Sequence, residues 1–277
     1  MDSTTASLYL DGPFATYLAA TNEKRLFTEH FTPRFHRFKA ARIYDRQVRV
    51  LDVGCGDGAT SQLNMQMLSN RGQKFHYTAV DPHQAQLDRF ANTVPVPGGS
   101  SLTCIQGDLE SFEPNPDDKP FDLVIAYQML YHVPNLTAAL RKILGLGREV
   151  LIGHHGRRGI HQVQEHFREH VTGGPHIIST DSEIEAILAG LTEELGERHF
   201  ERTGFVAKIN VSSCFQLKNN RDLAAFFLQC DPALITPDLL SWLRLYLVDL
   251  IGLNYNLPHD VGLFTVTDLA HPGFPPA

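Results

Sequence analysis

From residue 48 onward, short apolar segments alternate with longer amphipathic segments. The pattern predicts five strands, over residues 48–53, 75–80, 102–105, 121–127 and 149–153. Helices are predicted between them, one running through Leu63 and Leu68 and one over residues 85–92. Near-continuous apolar strands separated by helices are typical of a parallel sheet that is covered on both faces.

The pattern changes after the fifth strand. Helices are predicted over residues 160–171, 182–195, 223–228 and 239–253, and strands over 205–214 and 261–269. Two late strands indicate a seven-stranded sheet closed by an antiparallel hairpin. Residues 14–42 should be helical and pack over the carboxyl edge of the sheet. We therefore expect an N-terminal helical cap over the active site at 1–47 and an α/β domain with helical insertions at 48–277.

Composition narrows the class of protein. The chain has 277 residues and a formal net charge of −7, which argues against a nucleic-acid partner. No apolar run approaches the roughly 20 residues that a membrane helix needs. The first residues lack the basic start and apolar stretch of a secretory signal, so the expected location is cytoplasmic.

Cysteine and histidine usage does not predict a metal site. Four scattered cysteines form no CxxC pair, so buried free thiols are expected. His166 and His170 have the i, i+4 spacing that can place two ligands on one helix face, and His154, His155 and His161 lie nearby. No acidic partner motif completes such a site.

The most informative segment is the run VLDVGCGDG at residues 50–58. An apolar strand enters a loop with glycines at alternate positions, which lets the backbone pass close to a ligand. The spacing differs from the G-x-G-x-x-G loop that binds a pyrophosphate. Asp52 and Asp57 would repel a pyrophosphate but suit a cationic ligand with an ammonium group.

Polar residues also follow the next strands. Asp81 ends the second strand, where a carboxylate can accept both hydroxyls of a ribose, although a helix N-cap is the alternative. The segment QGDL at 106–109 ends the third strand, where a polar side chain can meet the adenine amino group. The run FDLVIA at 121–126 leads into the polar and aromatic segment 127–132. All lie at the carboxyl ends of parallel strands.

The ordered motifs VLDVGCGDG, AVDP, QGDL and FDLVIA resemble class I S-adenosylmethionine-dependent methyltransferases over residues 48–153. The resemblance implies a Rossmann-like fold whose seventh strand lies antiparallel beside the fifth, with S-adenosylmethionine as cofactor. It places the cofactor contacts at Asp52, Gly54, Gly56, Asp81, Gln86, Asp108, Leu109 and Tyr127.

Shorter segments at 7–9, 22–23, 128–131 and 178–181 are similar to the histamine N-methyltransferase family. That likeness implies cofactor contacts from Asp81 and Gln86, and a substrate amine held by Glu23 and Gln128. The family's tryptophan-lined wall should fall near Ile160 and Gln164, where this chain has no tryptophan. We therefore expect a polar amine or amino acid as substrate, and not histamine.

Aromatic residues could form a cage for a cation through cation–π attraction, although each alone fits a packing role. The candidates are Tyr9, Phe14, Tyr17, Tyr127 and Tyr131. An ion pair with neighbouring basic residues on the surface is the alternative for Glu23. The catalytic candidates are Gln128, Tyr131 and His154. His155 and His132 compete with His154 for the role of general base, and the sequence leaves that choice open.

The leading functional hypothesis is methyl transfer to an amine nitrogen of a small molecule. A second reading is attack by the cofactor's own amino acid portion, through cyclisation or aminocarboxypropyl transfer, with release of methylthioadenosine. A third is a catalytically silent subunit that only binds the cofactor.

Overall fold

The computed structural model describes residues 12–40, 47–70, 72–115, 119–216 and 221–269. Seven strands form one sheet in the order β3-β2-β1-β4-β5-β7-β6. The first five are parallel, and β7 pairs antiparallel with both β5 and β6. The strands are β1 Val48–Val53, β2 Phe75–Asp81, β3 Ser101–Gln106, β4 Phe121–Tyr127, β5 Gly147–His155, β6 Arg198–Asn210 and β7 Asn256–Asp268. The Rossmann-like order with an antiparallel seventh strand is confirmed.

Helices precede the sheet, connect its strands and cover both faces. Two N-terminal helices are α1 Gly12–Ala20 and α2 Glu23–Ala40, and two others, α3 Ala59–Ser69 and α4 Gln84–Thr93, follow β1 and β2. The remaining α-helices of the described chain are α5 Leu136–Leu146, α6 Ile160–His166, α7 Asp181–Leu195, α8 Asp222–Leu228 and α9 Pro237–Ile251.

Alternate residues of each central strand face opposite layers, as the pleat of a strand requires. Val48 and Val50 belong to the core that includes Phe27 of α2 and Met65 of α3. Leu51 lies on the opposite face of the same strand and packs in a second core that contains residues of α5 and α7. A third cluster joins α1, α6, α8 and α9 beyond the sheet. The strands read as continuous apolar runs because both faces are buried.

The late elements differ from the sequence prediction at their boundaries. The sixth strand begins at Arg198 and not at residue 205, and its first half is polar because it lies at the sheet edge and pairs only with β7. Ser212–Phe215 is a short 3-10 helix, although the predicted strand extended to residue 214. The two late strands pair antiparallel as predicted, and helices α8 and α9 lie between them in the chain.

The N-terminal segment is helical as predicted and forms two helices, with a break at Thr21 and Asn22. Thr21 makes an isolated bridge with Ile209, and the Asn22 side chain accepts the Lys208 backbone N–H at 2.8 Å. These contacts fix the start of α2 against the end of β6. In the described part of the chain, no helix is long and apolar enough to cross a membrane.

Candidate active site

The glycine loop after β1 adopts positive φ angles, which a side chain would strain. Gly54 has φ +68°, and a Cβ built there would lie 2.5 Å from the Cβ of Met129. Gly56 has φ +56°, but a Cβ there would meet no atom within 4 Å. The two glycines therefore differ: packing demands the first, while the second faces open space that a ligand can approach.

A cavity of about 780 Å³ opens at the carboxyl ends of the central strands. Its cofactor half is lined by the predicted residues Gly54, Gly56, Asp81, Gln86, Asp108 and Leu109. Its substrate half is lined by residues from the helices and from the ends of β4, β5 and β7, including Phe14, Tyr17, Glu23, Tyr127, Gln128, Tyr131, His155, Gln164, Phe226 and His259. One continuous space thus reaches both groups of predicted residues.

Asp81 lies beneath the glycine loop at the edge of the cavity. Its Oδ2 accepts the backbone N–H of Gly56 at 3.0 Å, and its Oδ1 accepts that of His83 at 2.9 Å. The N-cap alternative for Asp81 is wrong, because His83 precedes the first residue of α4 and no described side chain caps that helix. The Oδ1 also lies 3.2 Å from the His83 Nδ1, so the Oδ2, with one partner and two lone pairs, retains capacity for a ligand hydroxyl.

Asp52 was predicted to contact the cofactor, but its side chain does not reach the cavity. It is buried and does not line the cavity, and its Oδ2 accepts the hydroxyls of Ser61 and Tyr77, both at 2.6 Å. Burial raises the pKa of Asp52 to about 6, against the lowering effect of these two bonds. The residue supports the loop and the start of α3 from below, because its side chain points into the layer of helices.

At the end of β3, Asp108 lines the cavity and accepts the backbone N–H of Ser111 at 2.8 Å. Bonds from the Ser111 hydroxyl and backbone lower the pKa of Asp108. The Gln106 side chain instead donates to the Pro82 carbonyl at 3.3 Å and does not line the cavity. Asp108 is therefore the polar side chain of the QGDL segment that is available to a ligand.

Glu23, in the first turn of α2, is the hydrogen-bonding centre of the substrate half. It is only 3% exposed. Its Oε1 accepts the Tyr127 hydroxyl at 2.5 Å and the Gln128 amide at 2.8 Å. Its Oε2 accepts the Tyr17 hydroxyl and lies 3.3 Å from the His259 Nε2. The surface ion pair considered for Glu23 is wrong; in this helix it is Arg25 that pairs with Glu29 on the exposed face.

Glu23 remains a carboxylate despite its burial. Burial by itself raises its pKa, but the interactions with His259, Tyr127 and Tyr17 outweigh that effect and lower the pKa to about 2. Three donors, the Tyr17 and Tyr127 hydroxyls and the Gln128 amide, bond to the carboxylate, and the His259 ring lies beside it outside hydrogen-bond geometry. The cavity therefore contains a fixed negative charge whose hydrogen-bonding capacity is largely used.

A chain of hydrogen bonds continues from Glu23 to β5. The Tyr131 hydroxyl donates to the Oε1 of Gln128 and accepts the backbone N–H of His155 at 3.1 Å. Gln128 has a positive φ of +55°, uncommon for a residue with a side chain. Such strained residues concentrate at functional sites, where the surrounding structure holds them. The catalytic candidates Gln128 and Tyr131 thus lie in one network.

His154 and His155 occupy successive positions of β5. His154 does not line the cavity, and its Nε2 faces the Ser179 hydroxyl at 2.9 Å. His155 lines the cavity, and its Nε2 is buried with no hydrogen-bond partner among the described residues. The structure therefore places His155, and not the predicted His154, against the cavity. Burial lowers the pKa of both, to about 3 for His154 and well below the usual value for His155.

The remaining histidines are distributed around the site. His132 lines the cavity, and burial lowers its pKa to about 4. His166 is exposed and stacks on Tyr246 with ring centroids 4.0 Å apart. Among the described residues, no group of three or more His, Cys, Asp or Glu side chains is arranged to hold a metal ion. Cys214 and Cys230 are buried free thiols, while Cys55 and Cys104 are partly exposed.

Two of the predicted aromatic residues form the outer wall. Tyr17 stacks on Phe226 of α8 at a centroid distance of 4.2 Å, and Phe14 lies 5.9 Å from the same ring. Tyr9 lies outside the described residues. Phe226, His259 and Lys24 were not identified from the sequence. Nothing in their local pattern separates them from packing or surface residues, because their roles arise from distant segments.

Comparisons with known proteins agree with this geometry. Residues 50–148 match a family described as "Methyltransferase domain". The ubiquinone biosynthesis O-methyltransferase of Rickettsia felis is 29% identical over 99 residues, which cover 36% of this chain and 36% of that protein. The match thus spans well under two thirds of that relative.

Two solved structures are similar to this chain. The YcgJ protein of Bacillus subtilis superposes with a TM-score of 0.56 at 17% identity, over 80% of this chain and 92% of that chain. The magnesium protoporphyrin IX methyltransferase of Synechocystis, solved with bound SAH, gives a TM-score of 0.49 at 12% identity, over 87% and 84% of the two chains. The first of these likenesses shows a shared fold.

Proposed function

We propose that this chain, whose residues 50–148 form a class I S-adenosylmethionine-dependent methyltransferase domain, methylates an amine nitrogen of a polar small molecule or an amino acid. The observation that carries the proposal is the buried, ionised Glu23 in the substrate half of the cavity. A fixed negative charge in a partly desolvated site favours a cationic ligand such as a protonated amine.

The residues of the cofactor half fit S-adenosylmethionine. The open space over Gly56 admits the ligand close to the backbone, Asp81 retains acceptor capacity for ribose hydroxyls, and Asp108 can accept the adenine amino group. When bound, the cofactor supplies a methyl group on a cationic sulfur, which is an excellent leaving group. What the protein must add is alignment and exclusion of water around the nucleophile.

The substrate half combines charge with unpaired polar groups. Because three donors already bond to the Glu23 carboxylate, its main effect on a substrate is through its charge. Gln164 is only 1% exposed, and its Oε1 has no hydrogen-bond partner among the described residues. A buried acceptor without a partner is costly, so a substrate N–H or O–H is its natural complement. This supports a polar substrate.

His155 is suited to orient the nucleophile. Its pKa is lowered well below the usual value by burial first and by the neighbouring His154 next, so the ring is neutral near pH 7. A bound ammonium first gives up a proton to solvent, because only the neutral amine has a lone pair. The Nε2 of His155 can then accept an N–H of that amine and direct its lone pair toward the methyl carbon. The N–C bond forms as the C–S bond breaks, and sulfur keeps the electron pair. The methylated ammonium then loses its proton to solvent.

The test is identification of the nucleoside product by mass spectrometry. The protein is incubated with S-adenosylmethionine and panels of polar amines, amino acids, phenols and thiols. S-adenosylhomocysteine that forms only with amine acceptors supports the proposal. Turnover restricted to oxygen or sulfur acceptors overturns the amine assignment. Methylthioadenosine as product overturns methyl transfer, and absence of cofactor binding in calorimetry overturns the enzymatic function.

A further inference from the structure

Lys24 follows Glu23 in the first turn of α2 and also lines the cavity. Its Nζ lies 3.9 Å from the Oδ1 of Asp57 in the glycine loop and 5.4 Å from the centroid of the Phe14 ring. Among the described residues that line the cavity, it is the only lysine or arginine. A cation from the N-terminal part of the chain therefore reaches the cofactor loop.

The cavity around Lys24 is otherwise acidic. Its lining includes the carboxyl groups of Glu23, Asp57, Asp81, Asp108 and Glu110. These groups suit the ammonium and sulfonium of the cofactor but oppose its carboxylate. A carboxylate in a partly buried, acid-lined space is unfavourable unless a cation pairs with it.

We infer that Lys24 binds the carboxylate of the cofactor's amino acid portion, so that α2 selects cofactor forms that carry this group. The inference rests on the proposed use of S-adenosylmethionine. Glu23 and Lys24 then give one helical turn two functions, with the acid directed at the substrate half and the base at the cofactor half.

The contact with Asp57 leaves Lys24 available for this role. The separation of 3.9 Å is longer than the 2.7–3.2 Å of a hydrogen bond. Burial lowers the pKa of Lys24, while the charges of Asp57 and Glu23 act in the opposite direction. The carboxylate of the cofactor, if bound beside Lys24, would further favour the charged form of the lysine. The competing explanation is that Lys24 only neutralises Asp57.

Two ligands separate these explanations. S-adenosylhomocysteine carries the carboxylate and the ammonium, whereas its decarboxylated analogue keeps the ammonium and lacks only the carboxylate. If Lys24 pairs with the carboxylate, Lys24→Met weakens binding of the first ligand alone. If Lys24 only neutralises Asp57, the substitution leaves an unpaired acid, which changes the binding of both ligands by similar factors.

Calorimetry with wild-type protein, Lys24→Met, Lys24→Arg and Arg25→Met provides the test. Arg25→Met is the matched control, because it removes a positive charge from the same turn on the exposed face. The wild type should bind S-adenosylhomocysteine roughly tenfold to a hundredfold more tightly than the decarboxylated analogue, as expected for one charge-assisted bond. Lys24→Met should abolish that preference, while Lys24→Arg and Arg25→Met should retain it.

Equal affinity of the wild type for both ligands overturns the inference, as does an unchanged preference in Lys24→Met. The wild-type comparison needs no variant, so it can overturn the inference even if Lys24→Met does not fold. Failure of the wild type to bind S-adenosylhomocysteine at all would instead overturn the proposed function, which keeps the two failures distinguishable.

Discussion

The Oε1 of Glu23 lies 2.8 Å from the side-chain nitrogen of Gln128, which joins the first turn of α2 to the carboxyl end of β4. The two residues are 105 positions apart in the chain. Gln128 is held at a positive φ and also accepts the Tyr131 hydroxyl. Helix α2 is therefore a wall of the cavity, and the buried charge of Glu23 fixes its position.

Replacement of Glu23 by Gln should destabilise the fold and weaken binding of cationic amines. The variant loses hydrogen bonds to a charged acceptor, so we expect a decrease of about 2 kcal/mol in the free energy of unfolding. The lowered pKa of about 2 means that the wild type has this stability above about pH 4.5 and loses it as pH falls toward 2.

Urea unfolding at several pH values measures this effect. The difference between Glu23→Gln and the wild type should shrink in acid. Glu29→Gln is the matched control on the same helix, because its exposed pair with Arg25 contributes little. Equal stability of the Glu23 variant and the wild type at neutral pH would contradict the buried-charge interpretation.

Alanine at Gly54 and at Gly56 should separate folding from ligand binding. Both positions have positive φ, which costs a residue with a Cβ about 1 kcal/mol or more. Gly54→Ala also places its Cβ against Met129 and should show the lower melting temperature. Gly56→Ala should fold better but bind S-adenosylhomocysteine at least tenfold more weakly, if the open space is the ligand's, as roughly 1.4 kcal/mol would produce.

Activity should show no ionisation of His155 near its ordinary pKa of 6.5. Burial lowers that pKa, so the ring stays neutral where an ordinary histidine titrates, and the profile of kcat/KM should follow only the ionisation of the amine. His155→Asn should lower kcat by roughly tenfold to a hundredfold without moving the profile, whereas His170→Asn, on the exposed surface, should have no effect. An acidic limb near pH 6.5 that disappears in His155→Asn would refute this role.

Asp52→Asn should change the pH dependence of stability. Because burial raises the folded-state pKa from 3.8 to about 6, the folded wild type retains a proton that the unfolded chain loses in that window. The stability of the wild type therefore falls as pH rises from about 4 to 6. The neutral amide of Asp52→Asn does not titrate, so the variant has no such decrease. Melting temperatures of the variant relative to the wild type should increase across the window.

The same variant tests the predicted cofactor contact of Asp52. A supporting position below the loop predicts that Asp52→Asn changes the Kd of S-adenosylhomocysteine by less than about threefold, equivalent to under 1 kcal/mol. A much larger loss of affinity would indicate that the carboxylate contacts the ligand directly and that the loop rearranges on binding.

The sequence by itself determined the parallel half of the sheet and the cofactor half of the cavity. The strand, glycine loop and helix of residues 50–58 are neighbours in the chain, so their spacing carries their geometry. Asp81 and Asp108 follow the ends of successive strands, and parallel strands bring their carboxyl ends to one edge. These features depend on local periodicity and on the rules of crossover topology.

Only the tertiary structure decided the substrate half. The polar groups around Glu23 come from α1, from the end of β4 and from β7, and no local pattern connects them. The choice between His154 and His155 depended on which face of β5 meets the cavity. The first half of β6 was missed because an edge strand pairs on one side and need not be apolar. Contacts between distant segments set these positions, and their hydrogen bonds and burial set the ionisation of the side chains.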